Sequence, residues 1–413
     1  MGVFIRQLTG IRFVAAFWVL LYHLQDPLGR LGVMSIPVLN DTIRVGRLGV
    51  DLFFALSGFI ITHTYLSRMG TKISGRGSLE FWWLRLARIY PVHFVMLNVA
   101  GLAVIIQMWV LGSSKQYDWL NPIDYLRNLF LVQEWGPHPD RGWNVVAWSL
   151  SMEWLAYLIF PVLVLVLYAL HKRVSTPLLA VAWLVVIAPL LWRGSLTIDP
   201  YYTDLWGSII RVLSEFTAGA ITYVIVLRFI PDGATDPKPR VERFATTVSV
   251  AMPLLVIAGA VFLGNWETAQ SPLTLNDPDA EPLPPYFHLW LVPPLIVWIG
   301  ALALSRRGQA KWLSTDKIIL GGVISYSLYM THLVWFSTWR ALMNEIGVES
   351  GPLYALAVIV AIVGAFVIAY FMWRIVEEPC RKFMRKMVGV KAIAPEESTA
   401  DRSAKSERPS SGE

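Results

Sequence analysis

Residues 8–23 read Leu8-Thr-Gly-Ile-Arg12-Phe-Val-Ala-Ala-Phe-Trp-Val-Leu-Leu-Tyr22-His23. An apolar run so near the N-terminus, with Arg6 before it, has the outline of a secretory signal peptide. Two features argue against that reading. Arg12 and His23 bracket the run, and no small-residue cleavage site follows before the next charges. The run is therefore read as a membrane anchor, and similar stretches recur along the chain. A hydrocarbon core needs roughly 20 mostly apolar residues per helix. Ten segments qualify: 8–27, 48–67, 90–111, 148–170, 176–193, 205–228, 246–264, 286–305, 319–340 and 352–376. The predicted fold class is all-α, a polytopic membrane bundle of about ten transmembrane helices.

Composition agrees. The chain has 413 residues, of which 55% are hydrophobic and 15% charged, against about 25% charged in an ordinary soluble protein. Its 19 Trp, 19 Phe and 15 Tyr suit two aromatic belts at water–lipid boundaries. The formal charge of +6 carries information only through its placement. With the N-terminus inside and alternate loops assigned to the cytoplasm, twenty-six of the 35 Lys and Arg fall inside and eight outside. Arg211 is left within a helix. That asymmetry follows the positive-inside rule and places both termini in the cytoplasm of a cell (inner or plasma) membrane protein. Nothing calls for a nucleic-acid partner. The single cysteine, Cys380, rules out an intramolecular disulfide and cysteine-cluster metal sites. One membrane domain is expected over 1–390, with a disordered cytoplasmic tail over 391–413. The longest outside segments are 113–147 and the acidic, proline-rich 265–285, read as a structured loop without long helices.

Ionisable residues inside membrane helices are costly and point to function. Arg12 and His23 are eleven residues apart, about 1,100° of helical rotation or three turns plus 20°. They share one face, roughly 16 Å apart along the axis. Each alone is equally explained by local satisfaction, with Arg12 reaching lipid phosphate and His23 a backbone carbonyl; together they indicate a shared polar cavity. In Gly49-Val-Asp51-Leu-Phe-Phe-Ala-Leu-Ser57-Gly58-Phe, Asp51 lies at the depth of His23, where it would orient that imidazole. It also suits a helix N-terminus. Ser57 and Gly58 permit close helix packing. Arg85 and Arg88, read as lying in an inside loop, form one i,i+3 cationic patch whose planar groups suit phosphate. Ordinary topology accounts for either alone. Ser149, Ser151 and Glu153 place two hydroxyls and a carboxylate at a membrane interface, suited either to a sugar or to a helix cap. Arg211 with Glu215 reads as a structural i,i+4 pair. His63 and His332 read individually as core histidines. No phosphate-cradling glycine loop, serine-nucleophile elbow or metal-ligand spacing occurs.

Taken in order, these pieces resemble the acyltransferase-3 family, polytopic O-acyltransferases acting on surface glycans, lipids and secreted glycosides. The matching residues are Arg12-x10-His23, Gly49-Val-Asp51-Leu-Phe-Phe-x-Leu-Ser57-Gly58-Phe, Arg85-x-x-Arg88-Ile-Tyr-Pro91, Trp148-Ser-Leu-Ser151-x-Glu153 and Ser325-Tyr-Ser-Leu-Tyr-x-x-His332. The resemblance covers about residues 5–385. It implies an acyl-CoA donor, acetyl-CoA first, with no metal, and a glycan, glycolipid or glycoside hydroxyl as acceptor. It implies that His23 is catalytic, with Asp51 and Glu153 beside it on the outer, acceptor side. Arg12, Arg85 and Arg88 would hold the donor, and Ser149, Ser151 and His332 the acceptor. Many relatives carry a further soluble esterase-like domain; here a short tail follows the helices, so acceptor delivery is not expected to use such a domain in cis. Direct transfer and an acyl-histidine intermediate remain equally open.

Two other functions compete. A transporter or flippase of envelope glycolipid would need similar intramembrane charges, but no inverted repeat is evident in the sequence. A purely structural or sensor protein would leave the buried charges unexplained.

Overall fold

The computed structural model describes residues 5–111, 120–135, 143–195, 205–274 and 287–389. The tail over 391–413 and part of each long outer loop lie outside them. Among the described residues the secondary structure is helical, without strands.

The chain opens with α1 (Arg6–His23), followed by the short α2 (Gln25–Arg30) and α3 (Pro37–Arg44), then α4 (Leu48–Met69). The 37-residue α5 (Gly75–Leu111) follows, then α6 (Pro122–Leu129), α7 (Trp148–Arg173), α8 (Thr176–Gly194) and α9 (Leu205–Leu227). The last third comprises α10 (Pro239–Thr274), α11 (Val292–Leu304), α12 (Gln309–Leu313), α13 (Asp316–Glu345), α14 (Gly351–Met372) and, after a π-helical turn over Trp373–Glu377, α15 (Glu378–Met387). Nine helical stretches among the described residues are long and apolar enough to cross a membrane. With α1, whose arginines lower its hydropathy, all ten expected segments are helical.

The helices run past several expected boundaries. Residues 75–89, read as a loop, are the first four turns of α5, so Arg85 and Arg88 stand on a long helix. An amphipathic stretch can continue a span beyond the hydrocarbon because its polar side meets water while its apolar side packs. Here Phe81, Leu84 and Ala87 are buried, and the Trp83 indole donates to the Met384 carbonyl of α15 at 2.8 Å. Likewise α10 continues to Thr274, which turns the first half of the expected 265–285 loop into helix. Residues 24–47 are not an open loop either, since α2 and α3 fold back against the end of α1 and bury Leu28 and Ile43.

Burial separates a centre from a rim. The apolar stretches of α4, α9 and the α11 span are 72% buried, whereas those of α8, α10 and α14 are 22% buried. The rim helices present Leu184, Leu254, Ile359 and Val363 outward, the apolar surface that lipid requires. The most extensive pairings are α4 with α9 and α1 with α13. Both depend on glycine. A Cβ on Gly58 would sit 1.9 Å from the Phe216 carbonyl oxygen, and one on Gly219 would sit 2.0 Å from that of Ala55. Backbones can approach so closely only where no side chain intervenes.

Helices α1 and α13 are parallel. They start together, with Arg6 Nη2 2.6 Å from Asp316 Oδ1, and pass in contact at Thr9 and Gly322. Seventeen residues above Arg6 stands His23, and sixteen above Asp316 stands His332. Equal rise per residue brings both histidines to one level.

Candidate active site

His23 is the last residue of α1 and is half-buried. His332 is buried in α13. Their rings lie 4.9 Å apart between centroids, with His332 Nε2 3.1 Å from His23 Nδ1. His23 Nδ1 is also 3.0 Å from the Val19 carbonyl oxygen. On the far side, His332 Nδ1 faces the carbonyl oxygens of Tyr329 at 2.8 Å and Leu328 at 3.2 Å. Tyr22 closes against His23 edge-on, with centroids 5.0 Å apart. The histidine that reads from sequence as a core residue is thus the direct neighbour of the one that reads as catalytic.

Asp51 does not take the place beside His23 that its depth suggests. It is fully buried, and Arg211 of α9 occupies both its oxygens, Nε to Oδ1 at 2.8 Å and Nη2 to Oδ2 at 2.7 Å. Buried Glu215 stands one turn along, 3.8 Å from Arg211 Nε, and the guanidinium lies 5.0 Å from the Trp148 ring centroid. A guanidinium inside a bundle needs a carboxylate to neutralise its charge, and Asp51 meets it with two parallel bonds. The signal was present in the charge count, where Arg211 is the one cation left within a helix.

Glu153 on α7 accepts from Ser57 at 2.8 Å and from the Tyr157 hydroxyl, and Ser57 and Tyr157 are themselves 3.2 Å apart. Ser57 therefore does more than permit packing. Ser149 and Ser151 diverge. Ser149 lies 2.9 Å from the Tyr329 hydroxyl of α13 and donates to the Val146 carbonyl at 3.0 Å. Ser151 is fully buried. It donates to the Leu131 carbonyl at 2.9 Å and accepts from the Glu134 N–H at 3.3 Å. It pins an inward-folded turn in which Leu131 adopts a positive φ of 58°. Ser151 thus anchors this turn through both of those backbone bonds.

At the end of the bundle that carries Arg6, Arg88 pairs with Glu377 in the π-helical turn, and its guanidinium lies 5.7 Å from the Tyr326 ring centroid. Arg85, one turn before it on α5, lies 5.7 and 5.8 Å from the ring centroids of Tyr65 and Phe81. Arg12 is half-buried on α1 between this level and His23. Glu377 is fully buried and also accepts from Ser327 at 2.7 Å. Sequence reading missed it because it follows the last apolar residues of 352–376; the doublet Glu377-Glu378 before Pro379 was its only mark. Single-turn π segments are frequent at functional sites.

The motif at 325–332 explains how these clusters connect. Tyr326 donates to the Ile89 carbonyl of α5 and lies within electrostatic range of Glu153. Ser327 reaches Glu377, Tyr329 reaches Ser149 of α7, and His332 reaches His23 of α1. One helix therefore carries a polar ladder from the level of Arg88 to the histidine pair, with each rung met by a different element.

Fold and site together define an all-α, multi-pass membrane bundle with a polar interior. Residues 5–374 match the acyltransferase domain characteristic of the acyltransferase-3 family. The chain belongs to that family. It is 25% identical to acyltransferase MdmB of Streptomyces mycarofaciens, covering 95% of both chains. It is 24% identical to O-acetyltransferase OatA of Staphylococcus aureus (strain NCTC 8325 / PS 47), covering 92% of this chain and 57% of that one. A putative O-acetyltransferase of Staphylococcus aureus (strain COL) is also 24% identical, over 94% of this chain and 58% of its own length. The chain thus spans less than two thirds of these two staphylococcal relatives. No solved structure matches.

Proposed function

We propose that the protein moves an acyl group, acetyl in the first instance, from cytoplasmic acyl-CoA to a hydroxyl of a cell-envelope glycan, glycolipid or secreted glycoside. The observation that carries this reading is the ladder on α13, which joins arginines at the basic end to a histidine pair 16–17 residues further along. Coenzyme A is polyanionic and cytoplasmic, so its phosphates are placed with Arg12, Arg85 and Arg88. Guanidinium groups suit phosphate by geometry as well as charge. A phosphate there competes with Glu377 for Arg88. Both termini and the basic end face the cytoplasm of the inner or plasma membrane in this arrangement, and His23 lies towards the outer side.

In the transfer, a ring nitrogen of His23 takes the acceptor hydroxyl's proton. The oxygen attacks the thioester carbonyl carbon, the C–O bond forms, and the C–S bond breaks. The imidazolium then returns its proton to the departing thiolate, leaving an ester and free CoA. Glu153, with Ser57 and Tyr157, supplies hydrogen-bonding groups for the acceptor, and Ser149 with Tyr329 lines the same region. Asp51 serves by holding Arg211.

The test is thiol release from acetyl-CoA by the full chain in nanodiscs, together with mass spectrometry of envelope lipids and glycans from cells with and without the protein. Wild-type protein is expected to release thiol and add the mass of an acetyl group to its acceptor, and His23→Ala to do neither while inserting normally. Unchanged acylation by His23→Ala would overturn the assignment.

A further inference from the structure

The contacts of the two histidines fix where their protons sit. His332 Nδ1 faces the carbonyl oxygens of Tyr329 and Leu328 at 2.8 and 3.2 Å, and carbonyl oxygens only accept. Nδ1 must therefore carry hydrogen, since a lone pair buried against two carbonyls would be repelled and unsatisfied. In the neutral ring, Nε2 of His332 is then an acceptor. That nitrogen is 3.1 Å from His23 Nδ1, whose other neighbour is the Val19 carbonyl oxygen at 3.0 Å. His23 Nδ1 thus lies between two acceptors and must carry hydrogen too. The remaining nitrogen, His23 Nε2, is left with the lone pair.

Resting on the proposed transfer, we infer that His332 is a positioning residue acting through His23. It keeps the proton on His23 Nδ1, directs the basic lone pair to Nε2, and accepts a charge-assisted hydrogen bond when Nε2 takes the hydroxyl proton. In a serine-protease triad a buried carboxylate performs this service. The carboxylate that sequence reading assigned to it, Asp51, is held at both oxygens by Arg211, and a neutral imidazole fills the position. No further charge is buried, and the tautomer is set by the backbone of α13 rather than by an acid. His332 then has no need to touch the acceptor.

Two substitutions separate the alternatives. In His332→Gln the side-chain oxygen extends to about the position of Nε2 and can accept from His23. In His332→Asn the amide reaches only as far as Nδ1, so the bond to the α13 backbone survives and the bond to His23 is lost. The assay is thiol release from acetyl-CoA by the full chain in nanodiscs with water as the only acceptor, so a lost glycan contact has no effect. His332→Asn should lower kcat about 10–100-fold, the scale seen when the hydrogen-bond partner that orients a metal-ligating imidazole is removed, with KM for acetyl-CoA within two-fold. His332→Gln should recover most of that loss. Wild-type kcat in both variants, or equal loss in both, overturns the inference. If His23→Ala measured alongside them retains turnover, the proposed transfer itself fails, which is a separate result. Should the variants not fold, solid-state 15N spectra of histidine-labelled wild-type protein decide. A protonated Nδ1 and unprotonated Nε2 at His23 support the inference, and the opposite tautomer ends it.

Discussion

Arg211 and Asp51 are the clearest case of a residue's role being set by its partner. The pair is enclosed, and its two hydrogen bonds are short and parallel. Breaking a buried pair costs about 3–5 kcal/mol where the surviving charge is left uncompensated, and Glu215, 3.8 Å from Arg211, offsets part of that when Asp51 is removed. Asp51→Ala should therefore lower the unfolding midpoint in detergent markedly. Asp51→Asn keeps the shape but not the charge, and should fall between Asp51→Ala and wild type. If Asp51 instead served only as a catalytic partner of His23, both variants would lose activity and keep wild-type thermal stability. A second residue-scale prediction concerns Glu377. Glu377→Gln should free Arg88 from its acid and lower KM for acetyl-CoA, by several-fold on the donor assignment; a higher KM would place the donor phosphates elsewhere. At this scale the sequence was legible where residue type and helical spacing suffice, as with Arg12 and His23 on one stripe. It marked Arg211 as a cation within a helix but did not give its partner Asp51, and it was silent about Glu377–Arg88. Those pairs join residues 160 and 289 positions apart, and no local periodicity encodes such contacts.

Among the elements, α4 and α9 show what close approach requires. Leucine at Gly58 or at Gly219 would force the two backbones apart, since a Cβ alone would overlap a carbonyl oxygen at 1.9–2.0 Å. Gly58→Leu should cost several kcal/mol, in keeping with strong overpacking, and disturb the Ser57–Glu153 bond one residue away. A drop in both the melting midpoint and turnover would be measured; a folded, fully active variant would show that the helices can separate. Element type was readable because long apolar segments leave little alternative in a membrane. Element length was not. The added turns of α5 and α10 carry polar residues, and hydropathy alone reads such stretches as loop. The short helices α2 and α3 escaped for a related reason: they are too brief to show a period.

For the whole molecule, the count of lysine and arginine predicts one side for both chain ends. The single cysteine makes this measurable. Cys380 is partly exposed on α15, so a membrane-impermeant maleimide should label it only in inside-out vesicles. A cysteine introduced at exposed Arg30 in a Cys380→Ser background should label only in right-side-out vesicles. The reverse pattern would invert the proposed direction of transfer. The bundle itself and its all-α class follow from apolar length. The order in which helices pack does not, because the contacts that set it join residues far apart in the chain, such as Arg211 with Asp51 and His332 with His23.

The parallel pairing of α1 with α13 has a consequence for biosynthesis. The two histidines are separated by 309 positions, so the first enters the membrane early in translation and waits while most of the protein is made. A nascent chain arrested before α13 would hold His23 without its neighbour and without the ladder that leads to it. On the proposed transfer, turnover would then begin only when synthesis is nearly finished. Separately expressed halves, divided at the turn before α10, should be inert alone and regain turnover when they meet in one bilayer.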